Sequence, residues 1–139
     1  MAFRWDGRHA RFFFQTHPGS YTDRRLITFL RDLRRHLRGQ PLILIWDGLP
    51  AHKSYLMRDY VADQRRWLTV ERLPGYAPEL NPVEPIWGNI KRTELANLCA
   101  PHLDALRGPL RRGCARVRRH PHLAFSFLHH AGLEFKHGR

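Results

Sequence analysis

Two carboxylates stand where divalent-metal chemistry would use them. Asp47 closes the apolar run Leu42-Ile43-Leu44-Ile45-Trp46, and the carboxyl end of a buried strand is where open α/β sheets place their ligands. Glu84 follows after 36 intervening residues, in GYAPELNPVEPIW (Gly75 to Trp87), which sets three prolines and two carboxylates ahead of an apolar helix. Hard cations such as Mg²⁺ take oxygen ligands, commonly one or two carboxylates plus a substrate's phosphate oxygens. Two such ions, roughly 4 Å apart, stabilise the attacking and leaving oxygens of an in-line displacement at phosphorus.

Each carboxylate also has a purely local explanation. An aspartate at the start of a loop commonly accepts backbone N–H groups. With Asn81 as N-cap and Pro82 at the first helical position, Glu84 falls at N3, where it completes a capping box and complements the helix dipole for about 1 kcal/mol. The helix face argues for more. Glu84, Gly88 and Lys91 recur at i, i+4 and i+7, so the turn after the carboxylate carries no side chain and the next carries a cation, while Val83, Ile86, Trp87 and Ile90 turn inward. A two-ion site wants a third carboxylate. Asp6 sits in Asp-Gly, a hairpin tip, and Asp23, Asp32, Asp59 and Asp63 stand at helix starts or among arginines, where capping and solvated roles prevail.

The elements that must position these residues read as follows. Ala2 to Trp5 and Arg8 to Gln15 flank Asp6-Gly7 as a type I′ hairpin. Thr22 or Asp23 caps a helix with Leu26, Leu30, Leu33 and Leu37 on one side, ended by Gly39 and Pro41. Leu42 to Trp46 reads as a strand buried on both faces. A helix from about Ser54 buries Met57, Tyr60 and Val61, and Trp67 to Leu73 forms a shorter strand. A helix runs from Asn81 to about Leu98. The tail is helical, interrupted at Gly108-Pro109, and closes on the apolar segment LAFSFL. The alternation of hairpin, helix, strand, helix, strand, helix predicts an α/β fold with an antiparallel edge and a parallel interior.

Lys and Arg number 24 against 12 acidic residues, a net charge of +12 that points to a polyanionic partner, above all nucleic acid. The lysines are Lys53, Lys91 and Lys136, so the excess is arginine, which a GC-rich coding sequence also inflates. A hydrophobic fraction of 42% with four Trp and eight Phe excludes wholesale disorder. Cys99 and Cys114 form no CxxC pair and read as free thiols of a reducing cytosol. No apolar run approaches the roughly 20 residues that span a bilayer, and the N-terminus lacks the apolar core of a signal peptide.

LILIWDGLPAHKS, then a helix and a strand, then LPGYAPELNPVEPIWGNIKR, closely resembles the C-terminal part of the DDE catalytic domain of mariner-type insertion-sequence transposases. These belong to the retroviral-integrase superfamily and have an RNase H-like fold. The pattern PxYxPELNPxExxW is specific to them. The resemblance runs from the first hairpin to about Leu98. It implies a mixed sheet flanked by helices, with Asp47 the second and Glu84 the third metal-binding carboxylate of a triad that holds two Mg²⁺ or Mn²⁺ ions when complete. It sets His52 in the place of the histidine that follows the family's second aspartate, and with Lys91 and Arg92 makes it a DNA contact. Gly48 departs from the family's usual asparagine; Gly75 and Ala77 are milder variations. The triad's first aspartate belongs on a central strand that precedes this sequence, so the sheet is expected to be incomplete. The chain then reads as residues 1–98 of partial catalytic domain and 99–139 of basic helical extension.

The implied function is DNA transposition: metal-dependent strand cleavage and strand transfer at element ends. The partners are transposon-end and target DNA in the bacterial cytoplasm and nucleoid, and an upstream transposase fragment. Lacking one carboxylate, the chain alone is expected to be inactive, and an unpaired LILIW edge is expected to promote self-association. The alternative is a non-catalytic, basic nucleic-acid-binding remnant. A zinc module built from Cys114, His120, His122, His129 and His130 matches no zinc spacing.

Overall fold

Leu42–Trp46 (β3) and Leu68–Arg72 (β4) pair in parallel, Leu42 opposite Leu68 and Trp46 opposite Arg72, so both strands deliver their carboxyl ends to the same side. The computed structural model describes residues 1–4, 6–75, 77–99, 102 and 104–135. Its contacts divide the chain into two units, Gln15–Ala77 and Met1–Phe14 with Pro78–Arg139.

In the first unit, helix α1 (Asp23–His36) precedes β3 and helix α2 (Tyr55–Asp63) links β3 to β4. Thr22 takes the N-cap of α1, its hydroxyl accepting the Arg25 N–H, and Ile27, Leu30 and Leu33 form the buried stripe. Leu26 and Leu37 are only half-buried. The helix ends as the glycine requires: Gly39 adopts φ +72° and returns its N–H to the Arg34 carbonyl. Ser54 caps α2 through the Met57 N–H, and Met57 is fully buried. The expectation of a β3 buried on both faces is corrected. Leu42, Leu44 and Trp46 are half-buried, but Ile43 and Ile45 are 67% and 51% exposed. A continuous apolar run signals cover on both faces; among the described residues only one face is covered, and β3 pairs along one edge. The exposed isoleucines and the free edge are the surface on which the expected self-association rests.

In the second unit, Ala2–Phe3 (β1) and Ala10–Arg11 (β2) pair antiparallel. Their connection differs from a two-residue type I′ turn. The Gly7 N–H, at φ +66°, bonds to the Arg4 carbonyl, and the Arg8 N–H is taken by the Asp6 carboxylate instead of a backbone carbonyl. Helices α3 (Val83–Thr93), α4 (Asp104–Arg119) and α5 (Pro121–His130) complete this unit. Ile86 and Ile90 of α3 pack with Cys114 and Val117 of α4, and Phe12, Phe14, Trp87 and Phe127 close round them. The helix expected from Asn81 to Leu98 is shorter at both ends. The break expected at Gly108-Pro109 does not occur: α4 runs through Pro109, near enough to its start that one backbone bond is lost and the long apolar face of the helix outweighs it. The start of this tail at Pro101 lies outside the described residues.

Burial among Ile86, Ile90 and Val117 raises the Cys114 thiol to about 11, so it is an unreactive core side chain. Cys99 is exposed, and both thiols are free. Among the described residues no helix is long and apolar enough to cross a membrane.

Candidate functional site

The loop after β3 is built around Asp47. Pro50–His52 forms a single 3-10 turn that swings the His52 side chain back beneath the strand end. The imidazole Nδ1 lies 2.9 Å from the Asp47 carbonyl oxygen and 3.0 Å from its carboxylate, while the ring stacks on Trp46 at 4.1 Å and 2°. The ring nitrogen donates to the aspartate's backbone carbonyl and lies against its carboxylate, so the imidazole braces both. The Leu49 N–H adds a longer bond of 3.4 Å to the same carboxylate oxygen. The other carboxylate oxygen takes no hydrogen bond from the described residues, and the Asp47 side chain is 47% exposed. Half of the carboxylate is therefore anchored and half is open.

His52 is the one buried polar side chain among the described residues, at 8% exposure. Its ring is covered and its Nδ1 engaged, a placement suited to holding Asp47 rather than to meeting a phosphate. Sequence reasoning missed two further features here. The Trp46 stack was hidden because the tryptophan reads simply as the end of an apolar run. Lys53 lies over Gly48: a Cβ at that position would come within 3.1 Å of the ammonium nitrogen. A side chain at position 48 would require the lysine to move aside, which its flexible stem allows.

Glu84 sits in the first turn of α3, exposed. The helix start is built without it. Pro78–Leu80 forms a 3-10 turn, the Asn81 side-chain oxygen accepts the Val83 N–H at 3.2 Å, and the Asn81 carbonyl receives the Glu84 N–H at 3.0 Å. The Asn81 N–H, which a capping box would offer to the glutamate, is bonded to the Pro78 carbonyl. No hydrogen bond or ion pair among the described residues engages the Glu84 carboxylate, so the capping-box reading is corrected and both oxygens are free. Lys91 and Arg92 are exposed in the last turn, with the Arg92 guanidinium folded back over Gly88. The open turn inferred from Gly88 is thus partly filled by a cation.

Asp6 proves to be a turn residue. Its carboxyl is held below the ordinary aspartate range, first by the Arg8 N–H and then by the charges of Arg4, His9 and Arg8. Among the described residues no three acidic, histidine or cysteine side chains converge as a metal cage. Asp47 and Glu84 each present carboxylate oxygen that no described residue occupies, the type of donor a hard cation takes.

Residues 6–107 match the sequence model of the DDE superfamily endonucleases. The chain belongs to that family. The match includes Asp47, His52, Glu84, Lys91 and Arg92, and stops just inside α4. In fold the DDE chain is similar to a solved structure of the Mos1 transposase catalytic domain with raltegravir and magnesium, at 18% identity and a TM-score of 0.50. That likeness covers 85% of this chain and 67% of the other. It agrees with an RNase H-like α/β arrangement. No curated protein matches the chain in sequence.

Proposed function

We propose that this DDE chain contributes Asp47 and Glu84 as metal-binding carboxylates to an endonuclease that cleaves DNA at transposon ends and joins the strands to a target. The observation that carries the reading is Glu84. A motif of three prolines and an asparagine builds the start of α3 and satisfies its N–H groups without the glutamate, which no described residue engages, within a stretch that matches the endonuclease family. Two Mg²⁺ or Mn²⁺ ions would supply Lewis acidity at the scissile phosphate. The chain's own residues do the rest. His52 keeps one Asp47 oxygen turned inward so that the other faces out, and Lys91 and Arg92 offer cations to the DNA backbone.

For the test, the triad's remaining carboxylate is supplied on an upstream transposase fragment. The test is nicking of supercoiled plasmid bearing element ends, in Mg²⁺ or Mn²⁺, by the chain joined to that fragment. Asp47→Ala and Glu84→Ala should each abolish nicking and leave salt-dependent DNA binding in place. Nicking that survives both substitutions overturns the proposal. A second reading, a non-catalytic nucleic-acid-binding protein, is favoured by the arginines that lie beyond the family match; it would give DNA binding with no metal-dependent nicking from the joined protein.

A further inference from the structure

The family match ends at residue 107, yet α4 continues for three further turns and is packed as firmly as the helix that bears Glu84. Its arginines fall into two groups. Arg116 faces inward, donating from Nε to one Glu94 oxygen at 2.5 Å and from Nη2 to the other at 3.0 Å and to Asn89 at 2.7 Å. Arg107 pairs with Asp104 at 3.1 Å. Arg111, Arg112, Arg118 and Arg119 are exposed, and none of them makes an ion pair among the described residues.

A solvated helix face ordinarily mixes the two signs of charge, because i to i+4 pairs of opposite sign support the helix. Between Asp104 and Glu134 this chain has no acidic residue at all. The like-charged face is therefore a local cost that the packing of Cys114 and Val117 has to offset. Arg111 and Arg118, like Arg112 and Arg119, are seven residues apart, which is two helical turns or about 10.5 Å along the axis. Each guanidinium stands on a long flexible stem, so two rows of cations at this spacing can reach several phosphates of one duplex backbone. The apolar side of α4 is consumed by its own core, which leaves nothing to insert into a lipid surface.

We infer that the outer face of α4, carried by Arg111, Arg112, Arg118 and Arg119, is a duplex-DNA backbone contact surface that this protein adds to the endonuclease framework. It reads phosphates and not bases, so it works equally on unrelated sequences. It does not depend on the metal or on cleavage, so its failure and that of the catalytic reading are separately visible.

The test is the salt dependence of binding of the 139-residue chain to two unrelated 20-base-pair duplexes, followed by fluorescence anisotropy without divalent metal. Each phosphate neutralised contributes about 0.9 to the slope of log K against log salt. The variant R111Q/R112Q/R118Q/R119Q should lower that slope by roughly 3 to 4 on both duplexes. A control that removes the same charge from exposed arginines of the other unit, R24Q/R35Q/R65Q/R66Q, should lower it by less than about 1. If the quadruple variant does not fold, R111Q/R118Q and R112Q/R119Q should each lower the slope by about 2. An unchanged slope, an equal fall in the control, or an effect on one duplex alone overturns the inference.

Discussion

Asp47 and Glu84 carry the same charge at the margin of a regular element, and they are held in opposite ways. Asp47 is tied by its own loop through the imidazole of His52, which is itself clamped on Trp46. Glu84 is tied by nothing but the helix it starts, because Asn81 and the Pro78 carbonyl have already met the needs of that helix end. The difference teaches that the proposed role and stability are entangled in the loop that holds one carboxylate and separable at the other. Substituting the residues that brace Asp47 must disturb packing; substituting Glu84 need not.

The largest effect should come from His52→Ala. It removes a buried ring from its stack and leaves the space under the strand end unfilled, on top of losing the hydrogen bond to the Asp47 carbonyl, for a total of about 2–4 kcal/mol. His52→Phe retains the ring and loses only the Nδ1 donor, so it should cost about 1–2 kcal/mol. Urea unfolding of both, beside Glu84→Ala, measures the contrast directly. Equal losses at the histidine and at Glu84 would break it.

How the two sites could be read from sequence follows the same division. Glu84 was legible because prolines, an asparagine and helical spacing are local signals, and a start built by neighbours within six residues needs no tertiary knowledge. The position of Asp47 at a strand end was legible too, since LILIW can hardly be anything but a strand. What holds Asp47 was not, because a stack of Trp46 on His52 depends on a 3-10 turn that PAH does not announce. β3 misled for the same reason: an apolar run states what a strand would bury, not what is present to cover Ile43 and Ile45. Gly108-Pro109 misled in the other direction, local propensity yielding to a buried face formed by Cys114 and Val117. The pairing of Glu94 with Arg116 joins residues 22 apart and has no sequence signature.

That pairing sharpens the comparison, because it ties down a second glutamate at the far end of the helix that Glu84 begins. Arg116 holds the Glu94 carboxyl below its ordinary value, first by hydrogen bonding and further by its charge. A carboxyl whose folded value lies below its unfolded one stabilises the fold above the unfolded value, near pH 4.5, and that stability is lost as pH falls through the folded value. Glu94→Gln should cost about 1–3 kcal/mol at neutral pH. Between pH 5 and 3 it should also lose less stability than the parent, which thermal melting at stepped pH would show. Parallel acid limbs for parent and variant would mean that the Glu94–Arg116 pair contributes nothing in solution.

The smallest expected effect is the most telling for Glu84. With no bond to lose, Glu84→Gln should change stability in moderate salt by no more than about 0.5 kcal/mol. What remains is the carboxylate's interaction with the positive end of the α3 dipole, worth about 0.3–1 kcal/mol at low ionic strength and screened by salt. Urea midpoints should therefore differ slightly in low salt and coincide in about 0.5 M NaCl, where the Debye length has shrunk to roughly 4 Å. A loss near 1 kcal/mol that persists in high salt would be the mark of a capping hydrogen bond. Glu84 would then be held as Asp47 is, and the freedom that makes it available to a metal would be gone.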